Sequence, residues 1–382
     1  MILRIAGTYV HLLELPLLFF LLCAVTVRSA RRGFHLRVTN VALPFALFVS
    51  LALYLCAIAL SAWNALEVGL VVKSGLKWAE VFLLVFLVFL YVETQKDFAL
   101  IYWALALSCA LPVGRTLVLV IAGKIPLLGY RVFPGPEALF ALSLALPFLS
   151  EGRRWSTVFA GLCLLSAVLS MSRLVWVGLP LLFLFAHRHR LLPPRTLRLL
   201  LFSIAGMLVV VFLVDRSLLL YRWSELFAPR HVSNVERWTL LKTAFAFFLH
   251  HPLLGVGSLN FPRALRQQGL LPAIVAPDPD VLEPHNGFLQ VLAEEGMLGF
   301  CFFSLALLVQ FLLVRVSLRS SGVSLPYKLG LAGFMVAMVT YLLFGFISAQ
   351  FRFFLALGYG LAAATARVMP SGYLVPKGTC NA

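Results

Sequence analysis

The sequence predicts an all-α fold, a polytopic membrane helical bundle interrupted by one large hydrophilic loop. Three observations predict it. Hydrophobic residues make up 62% of the chain and charged residues 12%, an apolar share above that of soluble globular domains. The apolar runs, among them 81–92, 156–170, 197–214 and 329–347, cover most of the about 20 helical residues that a bilayer requires, and they lack the polar face of a soluble core helix. The formal charge of +16 is spread in short basic clusters between these runs. That is the positive-inside pattern of membrane proteins, so nucleic acid is not an expected partner and membrane lipids are.

Taken in order, the first apolar run, 10–27, is followed by Arg28, Arg31 and Arg32 and not by a small-residue cleavage site, which predicts a retained span. Arg28, Arg31, Arg32 and Arg37 form one basic cluster, Arg153 and Arg154 a second, Arg188, Arg190, Arg195 and Arg198 a third, and Arg315, Arg319 and Lys328 a fourth. Placing all four in the cytoplasm gives about eleven spans, with roughly ten to twelve compatible with the run lengths. They fall near 10–27, 42–63, 79–92, 98–122, 138–149, 157–170, 174–186, 197–214, 286–314, 329–346 and 353–364, with the N-terminus outside and the C-terminus inside. This divides the chain into an N-terminal transmembrane bundle (1–214), a large periplasmic loop (215–284) and C-terminal transmembrane helices (285–382). The six cysteines show no CxxC or His-rich spacing, so neither a disulfide framework nor a metal is expected.

The loop 215–284 is too long to be a simple connector. Ser233 and Glu236 stand three apart and read as a capping box. The helix they introduce carries Trp238, Leu241, Phe245 and Phe248 at helical spacing, which predicts an amphipathic element against the bundle or the membrane surface. His251 and Pro252 stop it, and Gly255 and Gly257 make the turn. Without a further glycine or a preceding strand, that turn is no nucleotide loop. Residues 276–284, rich in Pro and Asp, read as an extended connector.

The stretch from His285 to Gly299 is the most informative. Pro284 suits a helix start, and His285, Leu289, Leu292, Gly296 and Gly299 share one stripe of the helix that follows. The small Gly296 and Gly299 predict close packing against a neighbouring helix. Glu294 lies on the opposite face, roughly 13 Å further along the axis, and is assigned to packing or a polar network. This stretch resembles the signature of the O-antigen ligase and polymerase family: His285-Asn286, spaced leucines, then Glu294-Glu295-Gly296 and Gly299. Arg237-Trp238 at a helix opening, Pro252 to Gly257 followed by Phe261, and Ser172-Arg173 between two spans match the same family in the same order.

The resemblance implies a bundle similar to the C-type glycosyltransferase superfamily, in the bacterial inner membrane, with a periplasmic active site and no cofactor. It implies an O-antigen ligase that moves glycan from an undecaprenyl diphosphate carrier to lipid A core oligosaccharide. The leaving group is then a diphosphate, which needs positive charge, and an arginine fork supplies it bidentately. Arg173 and Arg237 are the candidates, the latter helped by a helix N-terminus. His285, with an ordinary pKa of about 6.5, is the candidate base, and Asn286 and Glu294 support it. Rival readings stay open: a helix-end His is often a satisfied interface residue, and Arg173 also suits a headgroup anchor. His250 and His251 read as loop residues, Arg230, Arg263 and Arg266 as loop charges or substrate contacts, and Glu14, Arg115 and Arg352 as charges near spans. A polymerase or a protein O-oligosaccharyltransferase would carry the same residues. A small-solute transporter is less compatible, because no repeated halves are visible.

Overall fold

A computed structural model describes residues 2–5, 8–11, 42–92, 94–123, 135–150, 154–170, 172–189, 232–268, 282–319 and 324–367, with scattered positions between 198 and 220. The described elements are helical except for one hairpin at the start of the chain. Strands β1 (Ile2–Ile5) and β2 (Thr8–His11) pair antiparallel. Val10 and His11, expected to begin the first span, instead pair with Leu3 and Ile2. The rest of that expected span, with Glu14 and the first basic cluster, lies outside the described residues. So does Arg230. Of the expected span 197–214 only scattered positions are described, and these are helical.

The helices are α1 (Ala42–Ser61), α2 (Val68–Tyr91), α3 (Gln95–Ile121), α4 (Gly135–Ser150), α5 (Arg154–Leu169), α6 (Arg173–Arg188), α7 (Val232–His250), α8 (Phe261–Gln267), α9 (Gly287–Arg319), α10 (Leu325–Phe344) and α11 (Ala349–Arg367). Four stretches among the described residues, Ala42–Asn64, Val68–Tyr91, Gly287–Leu318 and Leu325–Phe344, are long and apolar enough to cross a membrane. Three shorter apolar helices, Val158–Leu169, Leu174–Arg188 and Phe351–Thr365, accompany them. The chain is thus a multi-pass membrane protein. Large apolar side chains on its outside, such as Phe45, Leu60, Val72, Leu76, Leu308 and Phe311, are what a lipid solvent permits and water penalises.

Polar residues did not end the helices where the sequence predicted. Helix α2 starts at Val68, well before the expected 79, because Lys73, Lys77 and Glu80 interrupt apolarity without breaking the helix. Lys328, read as a cytoplasmic loop marker, is a buried residue in the first turn of α10.

Helix α9 packs on α1, α2 on α11, and α10 on α4. One aromatic cluster joins the first three: Tyr54 meets Trp78 edge-on at 4.7 Å between centroids and Phe303 at 5.4 Å. A second joins α4, α10 and α11, with Phe140 stacked on Phe354 at 4.7 Å and Tyr341 on Phe351 at 4.6 Å. Such pairs add about 0.5–1.5 kcal/mol each beyond area burial. Between lipid-facing helices the remaining stabilisation comes from close backbone approach by small residues. Helix α11 supplies these: Ala356, Ala362, Ala363 and Ala364 are fully enclosed, and a Cβ on Gly360 would lie 2.5 Å from Val88 Cβ.

Candidate functional site

Helix α9 runs for 33 residues, about 50 Å, and is broken at Gly296, whose φ of 66° and ψ of −163° belong to a region open essentially to glycine alone. An unbroken helix would bond Met297 N–H to Ala293 O and Leu298 N–H to Glu294 O. The turn after α7 takes their place. Ala293 O accepts from Val256 N–H and Glu294 O from Gly257 N–H, each at 2.9 Å, while Met297 N–H donates to Pro252 O at 2.8 Å and Leu298 N–H to Leu253 O at 3.2 Å. All four of these backbone groups are thus paired across the break. The approach is so close that a Cβ on Gly255 would lie 2.4 Å from Glu294 O, and one on Gly296 2.4 Å from Leu253 O. The sequence predicts helix packing at Gly296; the structure uses it for this left-handed break instead. Gly299 does lie against a neighbouring helix, near Tyr54 of α1.

The same turn is fastened to the α1–α2 connection. Asn64 Nδ2 donates to Gly255 O at 3.0 Å, Glu67 N–H to Asn260 Oδ1 at 2.9 Å, and Ser258 N–H to Ser61 Oγ at 3.1 Å. Ser258 Oγ donates to Glu295 Oε1 at 2.5 Å and lies 2.8 Å from Ser74 Oγ. Glu294, also buried, takes the N–H of Phe261 on Oε1 at 3.4 Å. Arg352 of α11, nearly enclosed, is the cation within electrostatic reach of Glu283, Glu294, Glu295 and Tyr54.

His285 sits two residues before the first turn of α9, half-buried, with its ring edge-on to Phe346 at 6.1 Å. Asn286 is the N-cap: its Oδ1 accepts from Leu289 N–H at 3.0 Å, a bond worth about 0.5–2 kcal/mol. Its Nδ2 donates to Leu343 O at 3.2 Å. Gln290, one turn on, donates from Nε2 to Glu283 Oε2 at 2.9 Å and accepts Ile347 N–H on Oε1 at 2.8 Å. Burial, and then the charge of Glu294, hold the Glu283 carboxyl well above the usual carboxylate range, with Arg352 opposing.

Arg173 begins α6. Gly178, five residues on, abuts Thr340 of α10, where a Cβ would lie 3.5 Å from Thr340 Cγ2. Thr340 is three residues from Leu343, the acceptor for Asn286. The body of α6 therefore packs on the part of α10 that leads to the Asn286 contact. Arg237 is in the second turn of α7, half-buried. Three residues on, Leu240 joins Ala244, Phe247, Leu289 and Ala293 in one cluster, which puts Arg237 near the N-terminal part of α9.

Two expectations for the loop helix change. It begins at Val232, so Ser233 falls inside the first turn and not at the cap, and Arg237 is two residues further from the N-terminus than its sequence role required. Its inward face is Leu240, Thr243, Ala244 and Phe247, whereas Trp238 and Phe245 of the expected stripe are 60% and 49% exposed. The helix is apolar around most of its circumference, so the spacing of its largest residues does not select the packed face. Lys242 covers the outward Trp238 ring, its Nζ 5.5 Å from the centroid.

Among the other candidates, Arg263 pairs with Glu67 at 3.3 Å, and Arg115 is exposed on α3. His250 is exposed at the end of α7, and His251 O accepts from Gly255 N–H within the turn. Sequence reasoning passed over Gln290, Glu283, Glu295 and Ser258. Their one visible signal is a polar side chain in or beside an apolar run, which is costly there unless it is partnered.

The described elements from Arg173 to Gly299 lie within one recognisable stretch. Residues 158–304 match the family model described as O-Antigen ligase. No curated protein matches the chain. The match links this membrane protein at family level to glycan handling, and it covers α6, α7, the 252–257 turn and α9 through its break.

Proposed function

We propose that the chain is an O-antigen ligase, a membrane glycosyltransferase of the bacterial inner membrane with a periplasmic site, folded like the C-type glycosyltransferases with about eleven spans. It takes glycan from undecaprenyl diphosphate and joins it to a hydroxyl of lipid A core oligosaccharide. The observation that carries this reading is the family match across 158–304, which contains Arg173, Arg237 and His285 together. The nearness of Arg237 to the N-terminal part of α9, which His285 precedes, supports it.

In this reading the acceptor hydroxyl attacks the anomeric carbon as His285 takes its proton. The bond from that carbon to the diphosphate oxygen breaks, undecaprenyl diphosphate leaves, and one displacement inverts the anomeric centre. Arg173 and Arg237 neutralise the departing diphosphate without a metal, since guanidinium stays charged at every relevant pH. Asn286 holds the first turn of α9 behind the histidine, and Glu294 supports the adjoining break.

The test is transfer by purified protein in detergent, with a polyprenyl diphosphate-linked glycan as donor and lipid A core as acceptor. His285→Ala is expected to lower the rate by about 10²–10⁴-fold, the usual worth of a general base, and to leave the unfolding temperature unchanged. Well-folded wild type that extends the lipid-linked glycan but ignores lipid A core would be a polymerase; transfer to protein hydroxyls would make it a protein O-oligosaccharyltransferase.

A further inference from the structure

We propose that Gln290 is a positioning residue: its side chain clamps the segment bearing His285 to the connection between α10 and α11 and so sets where the imidazole stands. This rests on the reading of His285 as the base. Gln290 is 3% exposed, and both ends of its amide are used. Nε2 donates to Glu283, two residues before His285, and Oε1 accepts from Ile347, the residue after Phe346. Phe346 is the ring that His285 meets edge-on. A single planar group thus ties the chain on one side of the imidazole to the chain that supports its other side.

The side-chain type matters. An amide offers a donor to a carboxylate and an acceptor to a backbone N–H from one rigid plane; a glutamate would set an acceptor against Glu283, and a methionine would fill the volume with neither bond. Asn286 makes a parallel tie to Leu343 O, but from the first turn of α9, where it is also the cap. Gln290 has no capping duty; these two bonds reach outside its own helix, and its side chain also bears on Glu294 one turn on. A base must come within about 2.6–3.2 Å of the proton it removes, and a shift of about 1 Å costs on the order of 100-fold in rate.

The experiment compares wild type with Gln290→Met in the transfer assay with undecaprenyl diphosphate-linked glycan and lipid A core, alongside deuterium uptake by the full-length protein. Gln290→Met is expected to lower kcat by about 10- to 100-fold with KM for the donor within about twofold, and to speed exchange in 283–290 and 343–348 while α1 and α2 stay as protected as before. Should that variant not fold, Glu283→Ala removes the partner of the Nε2 bond from outside α9 and is expected to lower kcat in the same way. Glu283→Gln, whose amide oxygen accepts the same bond, is expected to recover most of that loss. Wild-type kcat in a folded Gln290→Met or Glu283→Ala protein overturns the inference, as does a rise in KM alone or a loosened segment with unchanged turnover. A neutral Gln290→Met beside a crippled His285→Ala removes only this inference; an active His285→Ala removes the proposed base as well.

Discussion

Ser258 brings together groups from three helices and a turn. Its N–H reaches Ser61 of α1, and its hydroxyl lies between Ser74 of α2 and Glu295 of α9. A serine hydroxyl has one proton and two lone pairs. With that proton on Glu295, Ser74 must donate to Ser258, so the chain of bonds has a single direction. Ser258→Ala removes the donor to a buried carboxylate, and a loss of about 1–3 kcal/mol is expected, read as a lower unfolding temperature in detergent. Unchanged stability would mean that Glu295 gains nothing from the contact. None of these bonds was legible in the sequence, where Ser61, Ser74 and Ser258 are unremarkable members of apolar or loop segments. His285-Asn286, by contrast, was visible beforehand as a helix opening after Pro284, although its contacts with Leu343 and Phe346 were not.

The break in α9 is the decisive element. Two helical bonds are exchanged for four to an outside turn, and two glycines face each other across the join. Gly296→Ala requires both a conformation that alanine resists and a Cβ inside the Leu253 carbonyl. It is expected to cost at least about 3 kcal/mol, seen as loss of monodisperse protein or of the cooperative thermal transition; a stable Gly296→Ala protein would show that the helix can close over the join. Helical periodicity placed Gly296 and Gly299 on one stripe and assigned them one role. The structure separates them, because stripe arithmetic holds only for continuous helix and cannot register an interruption supplied by residues some forty positions earlier. The loop helix teaches the complementary lesson: its existence followed from local pattern, but its packed face depended on α9.

At the scale of the whole molecule, the site lies at the end of the bundle that contains Trp63, 88% exposed beside Asn64 and the turn it binds. Arg188 closes α6, the 16-residue helix that Arg173 opens. If the loop is periplasmic, Trp63→Cys in a background without native cysteines is expected to react with a membrane-impermeant maleimide from that side, and Arg188→Cys only once the inner membrane is opened. The reverse pattern would put His285 in the cytoplasm and deny it a carrier-linked glycan on the other face. The sequence by itself determined that the chain enters a membrane, that its described bundle is helical, and that residues 158–304 match a family model described as O-Antigen ligase. These follow from transfer free energies and local spacing, which add up along the chain whatever it later touches. Only the tertiary structure decided where α9 breaks, which face of α7 is buried, and that Gln290 and Ser258 are junctions. Those outcomes rest on hydrogen bonds between segments as far apart as Asn64 and Gly255, and a buried polar group is favourable only when the fold brings its partner within reach.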